Sequence, residues 1–568
     1  MDRDAQDPTR LGPAARRRAL QRLASEPFDV LVVGGGVTGA GAALDAATRG
    51  LRVALIERRD VAAGSSSRST KLIHGGLRYL EQRNFGLVQE ALRERRLLLE
   101  TVAPHLVRPL SFLLPLRQHW EREYFGAGVL LYDVLGGLRP AVPRHRHLSR
   151  SSAGGLAPAL RDDAYVGAIR YGDAQMDDAR FVVALLRTAM AHGAVVATGV
   201  SAEAFRPRAG GQAVLTARDT VAPRADAFEI QAGAVVNATG VWAADMERTA
   251  GVREPVSLRA SKGVHVMVPR AAIDSSVALT LRTEKSVLLV VPWKDHWLIG
   301  TTDTPWDLDR EHPAATAADV RYLLDRANDV LRRPLTTDDV TGVYVGLRPL
   351  VAPETEGDTA RVSREHVVRT PLPGFVSIVG GKYTTYRVMA RDAIDAAAAQ
   401  LGVPVATSRT QAIPLLGAEG LPTARARVRE AAPDAATAER LLSRYGSRAH
   451  ELLALMASDP ALAAPIPGTG YAMAEARYAV THEGALMLDD VLSRRTRSSI
   501  EAADRGRAAA EPVARLIAPE LGWNRSRVKA EVARYHQRLD AELAAQEALD
   551  DDGADAARRA VRDPRIAA

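Results

Sequence analysis

Gly34, Gly36 and Gly39 stand at G-x-G-x-x-G spacing, and Glu57 follows 18 residues after the last of them. The first glycine allows a tight turn, the second lets a pyrophosphate reach the backbone, and the third lets helix and strand pack closely. The helix N–H groups beyond that turn face phosphates. A carboxylate at 57 suits the hydroxyls of an adenosine ribose, and an acid there rather than an arginine argues against a 2′-phosphate. The pattern therefore points to FAD or NAD. The elements that must position these residues are all present. Phe28 to Val33 reads as a buried parallel strand, an Ala-rich helix runs to Arg49-Gly50, and Arg52 to Glu57 reads as the second strand.

The chain has 568 residues, enough for two to four domains, and is 46% hydrophobic and 25% charged. No apolar run reaches 18 residues, so no bilayer span is expected. Residues 1–26 carry Arg16-Arg17-Arg18 but no apolar stretch of a secretory signal, and a cytoplasmic location is expected. Cysteine is absent, which excludes disulfides, thiolate metal sites, iron–sulfur clusters, Cys-linked flavin and the C-x-x-C pair of disulfide reductases. The net charge is +7, yet only six of the 75 basic residues are lysine, which reads as compositional bias towards arginine. A basic chain can attract nucleic acid, an anionic membrane or an acidic metabolite. No helix-turn-helix, zinc-finger or RNP pattern is present, so nucleic acid is not an expected partner. His145 and His147, interleaved with Arg144 and Arg146, read as a solvated basic loop, and no metal site is expected.

Along the chain, 1–26 is expected to be a flexible basic leader with a short helix from Ala14 to Leu23. Helices are expected at Phe85 to Val102, Asp177 to His192 and Tyr383 to Leu401. Strands are expected at Ala194 to Thr198, Gly233 to Asn237 and Phe375 to Val379. Residues 261–303 read as an antiparallel meander over Val264 to Val268, Ser286 to Val291 and Trp297 to Ile299, turning at Lys294-Asp295. The aromatic and aliphatic stretch 120–140 reads as a buried helix, with a membrane- or partner-facing patch as the alternative. Residues 410–545 carry helical periodicity without strand signal, and 546–568, with its Asp550-Asp551-Asp552-Gly553 run, reads as a disordered tail. The expected architecture is α/β: a discontinuous Rossmann-type domain (27–110, 177–250 and 340–400), a mostly antiparallel β substrate domain interleaved with it (111–176 and 251–339), and an all-α C-terminal domain.

Residues 65–81, Ser-Ser-Ser-Arg-Ser-Thr-Lys-Leu-Ile-His-Gly-Gly-Leu-Arg-Tyr-Leu-Glu, resemble the second motif of FAD-dependent, respiratory glycerol-3-phosphate dehydrogenases, members of the D-amino-acid-oxidase-like flavoprotein group. Five further segments agree in order: Asn237 to Trp242, Ser261 to Pro269, Ile299 to Asp303, Gly346 to Leu350 and Gly380 to Arg387. His482 to Leu486 resembles the same family's cap domain, and the match runs from about 27 to 540.

The resemblance implies non-covalent FAD, and His74 is the residue to which a covalent flavin bond would otherwise be assigned. Gly34, Gly36, Gly39 and Glu57 would hold the adenosine and pyrophosphate. Ser66, Ser67 and Ser69 supply small hydroxyls for the pyrophosphate or ribityl chain, and Gly75-Gly76 lets backbone pass close to a planar ring, with Leu77 beside it. Gly240 suits the adenine end, with Trp242 packing beside it. Gly380-Gly381, Lys382 and Thr384 aim a second helix N-terminus at the flavin, where it would stabilise the reduced anion.

The implied substrate is sn-glycerol 3-phosphate, a dianion best held by fixed cations, for which Arg348, Lys382 and Arg78 are the candidates. His265 alternates against Val264, Val266 and Val268, so it points away from their face, towards a cavity or solvent. Its implied role is contact with the C2 hydroxyl, as proton acceptor. Tyr79 and Thr302 would add hydroxyl contacts. The implied reaction moves the C2 hydride to flavin N5 and yields dihydroxyacetone phosphate, with Arg348 stabilising alkoxide charge and a quinone taking the electrons. An oxidase using O2, an amine or amino-acid oxidase of the same fold, and a scaffold with structural flavin remain the alternatives. The quinone, the basic leader and the 120–140 patch together suggest peripheral contact with an anionic membrane, at the inner face of the plasma membrane. The helical block could serve homodimerisation or acceptor docking.

Overall fold

The structure is a computed structural model describing residues 7–566 except 82, 138–140, 208–211, 223–224, 285–286 and 352–364. The side chain of Arg78 and the expected strand start at Ser286 lie outside the described residues.

The basic helix α1 (Pro13–Ser25) precedes the unit that opens the cofactor domain. That unit comprises β1 (Phe28–Val33), α2 (Val37–Thr48) and β2 (Val53–Glu57). Strand β1 pairs in parallel with β2 on one side and with Phe228–Asn237 on the other, and Val195–Thr198 and Phe375–Gly380 extend the parallel order outwards. Val30, Leu31 and Val32 are fully buried, as a strand covered on both faces requires. Each such side chain contributes about 1.5–3 kcal/mol. Helix α2 is built of Ala and Gly because it is buried almost all round. A Cβ on Gly41 would lie 2.9 Å from the ring of Tyr386, in the Tyr386–Leu401 helix packed against it. Four of the parallel strands end at one edge on Gly34, Glu57, Ala238 and Gly380, the edge where α/β sheets bind ligands.

A second sheet, of ten strands among the described residues, faces that edge and is antiparallel there except where Ala278–Arg282 runs beside Arg108–Leu116. Its functional centre is the Leu258–Pro269 strand, flanked by Gly342–Val351 and His296–Gly300. Val264, Val266 and Val268 sink into the core behind the sheet. The Gly342–Val351 strand thus belongs to this sheet rather than to the cofactor domain in which 340–400 was expected. Leu72–Ile73, expected within 27–110, also pairs into it.

The C-terminal block from Leu421 to Glu547 is helical. It is joined to the rest through buried ion pairs: Asp60 with Arg494 and Arg495, Glu483 with Arg180, and Asp178 with Arg497. Pairs of this kind specify docking more than they stabilise it, but removing one partner costs about 3–5 kcal/mol.

Four expectations are corrected. The leader is docked from residue 7 onward: Leu23 is fully buried, and Arg16 pairs with Asp219 at 2.7 Å. The tail is ordered too: Asp550 caps the Asp551–Arg559 helix by accepting from Gly553 N–H at 2.8 Å. Its acids open that helix and its arginines close it, which suits the helix dipole. The Glu121–Leu135 helix buries Val129 and Tyr132 but exposes Tyr124, Leu130 and Val134, with Trp120 exposed just before it, so it is a surface helix with an apolar outer face. His145, expected in a solvated basic loop, instead pairs with a carboxylate, its Nδ1 2.8 Å from Asp133.

Candidate active site

A cleft of about 1520 Å³ runs between the two sheets. One end is lined by Gly34, Gly36, Glu57 and Trp242, and the other by Tyr79, His265, Arg348 and Lys382.

At the first end Gly34 has φ +115°, and a Cβ there would sit 2.6 Å from the Ala238 carbonyl. Gly36 caps α2 without a side chain and faces the cleft, while Gly39 packs on the Gly34 carbonyl outside it. Glu57 ends β2 and accepts from the N–H groups of Gly35 at 2.7 Å and Arg59 at 2.8 Å. Ser66 Oγ accepts from Val37 N–H at 3.0 Å, so a hydroxyl stands beside the helix start. Gly240 borders the cleft with open space at its Cβ position, and the Trp242 ring lies under Arg59 at 5.4 Å.

In the middle, Gly76, Leu77 and His74 line the wall. The Thr384 hydroxyl bridges the His74 backbone, donating to its carbonyl and accepting from its N–H, each at 3.1 Å. Gly381 has φ +81° and packs its Cα side on Met389. Lys382 follows, its ammonium 3.6 Å from the ring centroid of Tyr79.

The far end is set by strand register. Ser261 stands opposite Arg348, Gly263 opposite Gly346, and His265 opposite Tyr344. Alternation puts all six on one face. Arg348 donates to the Thr302 carbonyl at 3.2 Å, Ser261 Oγ at 3.3 Å, Asp303 Oδ1 at 3.4 Å and Thr301 Oγ1 at 3.1 Å. His265 is buried and lines the cleft, with Nε2 2.9 Å from Thr70 Oγ1. Burial, then the positive charges of Arg348 and Lys71, holds its pKa well below the ordinary histidine value, so the ring is neutral at pH 7.

Some expected contacts fall elsewhere. Thr302 is outside the cleft lining: its hydroxyl accepts from Val264 N–H at 2.9 Å and donates to the Lys262 carbonyl, tying two strands. Its neighbour Thr301 lines the cleft instead. Ser67 is buried away from the cleft, its carbonyl taken by Lys71 and Arg497. Ser69 borders the cleft, but its hydroxyl donates to Asp178 at 2.8 Å. Gly75 is outside the cleft lining, and a Cβ placed there would lie 2.6 Å from Leu92 and from Tyr132. Ser65, missed as a candidate, lines the cleft and donates to the Leu347 carbonyl.

The cradle fits a dinucleotide of FAD size. Gly34 leaves no room for a Cβ, Gly36 bares a helix start, and the cleft exceeds what a small substrate alone needs.

Residues 29–387 match the family model described as FAD dependent oxidoreductase, and 408–528 match the C-terminal domain of alpha-glycerophosphate oxidase. The chain is 50% identical over 561 residues to a glycerol-3-phosphate dehydrogenase of Mycobacterium leprae, covering 98% of this chain and 95% of that protein. It is 35% identical over 550 residues to the mitochondrial glycerol-3-phosphate dehydrogenase of Bos taurus, covering 93% and 75%. In structure it is similar to the glycerol-3-phosphate dehydrogenase from Bacillus halodurans complexed with FAD, with TM-score 0.75, 29% identity, and 93% and 97% coverage. By sequence over nearly its whole length and by fold, the chain belongs to the FAD-dependent glycerol-3-phosphate dehydrogenases.

Proposed function

We propose that the protein oxidises sn-glycerol 3-phosphate to dihydroxyacetone phosphate and delivers the electrons to a quinone. The observation that carries the substrate half is the far end of the cleft, where Arg348, braced by four oxygen acceptors, shares one sheet face with a neutral His265, and Lys382 and Tyr79 line the same space. Fixed cations suit a phosphate dianion, and a neutral imidazole can take a proton.

Gly34, Gly36, Ser66 and Glu57 would hold the adenosine and pyrophosphate of non-covalently bound FAD, and Gly381, Lys382 and Thr384 its flavin end. Bound FAD supplies the hydride acceptor. Arg348 and Lys382 orient the phosphate and the C2 oxygen, and a preorganised donor of this kind is worth about 3–4 kcal/mol where charge develops. His265 takes the hydroxyl proton, its ring held between Thr70 and Tyr344. Anaerobic addition of glycerol 3-phosphate should bleach the visible flavin band. An unchanged spectrum, or bleaching by glycine or sarcosine alone, would reverse the assignment.

The quinone reading is supported by the Glu121–Leu135 helix, whose Tyr124, Phe125 and Leu131 border the cleft while Leu130 and Val134 face outward, as does neighbouring Trp120. Among the described residues no helix is long and apolar enough to cross a membrane, so contact with an anionic bilayer would be peripheral. Flotation with anionic liposomes at low salt checks it, and full recovery in the soluble fraction counts against it. The C-terminal match to an alpha-glycerophosphate oxidase domain supports a second reading with O2 as acceptor. Hydrogen peroxide yield against quinone-dye reduction separates the two.

A further inference from the structure

Residues 548–566 cross the back of the cleft wall as a strap. Ala554 is fully buried and packs, with Ala557, in a cluster containing Val241, Trp242, Trp306 and Leu308. Asp555 accepts from Asp309 N–H at 3.2 Å, and Asp551 pairs with Lys262. Arg565, 2% exposed, donates to the Arg59 carbonyl at 3.2 Å and forks onto Asp490 at 3.0 and 2.9 Å.

The segments gripped from behind present their other side to the cleft. Arg58, Arg59, Trp242, Leu308, Asp309 and Glu311 line the end that holds Glu57. They also form one connected wall. Arg59 lies over Trp242 and 3.3 Å from Glu311, and Arg310 donates to the Val241 carbonyl at 2.8 Å. Arg565 fixes this wall at its first segment and Asp555 at its last.

Resting on the family's use of FAD, we propose that the strap is a clasp for the adenosine half of the cofactor, keeping the Arg59–Trp242–Glu311 wall in its binding position and so governing retention of FAD. A wall ordered before binding need not be ordered by the ligand, and affinity rises accordingly.

The test uses three proteins: the chain ending after Leu549, and two full-length variants, Arg565→Met and Ala554→Glu, the latter wedging the helix off its seat. FAD affinity is read by titrating apoprotein and following flavin fluorescence. Thermal melting is recorded with and without FAD, and helix content by circular dichroism. The expected result is FAD binding weakened at least tenfold and a smaller melting gain on adding FAD, while the KM for glycerol 3-phosphate at saturating FAD stays within twofold. FAD affinity within twofold of the full chain, in variants of native helix content, would overturn the proposal. So would a raised KM with FAD affinity intact, which would assign the strap to the substrate end. If the shortened chain fails to fold, the two full-length variants decide. An intact chain that bound no FAD would instead refute the cofactor reading.

Discussion

Tyr344 lies flat against His265, with ring centroids 4.8 Å apart and planes 11° apart, and its hydroxyl donates to the Ser69 carbonyl at 2.8 Å. One side chain therefore links the imidazole to the loop that borders the cofactor cradle. The stack fixes the ring's plane, and Thr70 fixes its Nε2 edge. His265→Asn should lower turnover by about 10²–10⁴, the usual worth of a positioned base. Tyr344→Leu, which leaves the imidazole but frees its plane, should have a smaller effect, on kcat more than KM. Steady-state kinetics on FAD-loaded protein checks both, and an undiminished kcat in His265→Asn would remove the imidazole from the mechanism.

Arg348→Ala should reduce turnover by about 10²-fold or more while FAD stays bound, since one preorganised donor is worth about 3–4 kcal/mol. Arg348→Lys should recover little, because an ammonium cannot reach the spread of acceptors that the guanidinium fork meets. Kinetics alongside the flavin spectrum separates this from cofactor loss.

Gly300 faces the His265 ring so closely that any Cβ there would overlap Cδ2. Gly300→Ala should displace the imidazole and lower kcat by at least tenfold with FAD retained. Normal kinetics in this variant would mean that the ring has slack.

Four buried histidines should make the protein acid-labile. His105 and His482 are held down to about 4, by burial first and then by nearby arginines, and burial likewise depresses His265 and His312. A histidine with depressed folded pKa binds its proton first in the unfolded chain, so stability is whole above pH 6.5 and falls as pH drops from there towards 4. His105 and His482 each contribute up to about 3 kcal/mol to that loss. Urea midpoints across pH 4–7.5 check the slope, and His105→Phe, if tolerated, should flatten it. A midpoint constant from 7 down to 5 would contradict the assignment.

The opening strand–turn–helix was legible because glycine spacing and a continuous apolar run admit few other folds. Alternation placed His265 correctly because Val264, Val266 and Val268 leave it only the other face. Parity failed one step further on. The strand ends at Gly300, so nothing in the spacing says that Thr301 rather than Thr302 turns to the cleft. Nothing in the spacing separates Ser67 and Gly75, which lie outside the cleft lining, from neighbours that border it, because a small residue near a ligand and a small residue under a packed helix have one composition. The strap was illegible for another reason. Its acids and arginines read as solvated until partners hundreds of residues away, Lys262 and Arg59 among them, are brought alongside.

Asp178 is shared by Ser69, Lys71 and Arg497. The loop bordering the cradle is therefore anchored from far along the chain, more than 400 residues beyond Ser69. A chain cut short ahead of residue 497 would leave Ser69 and Lys71 on Asp178 without their third partner, and such a fragment should hold FAD more weakly than the intact protein.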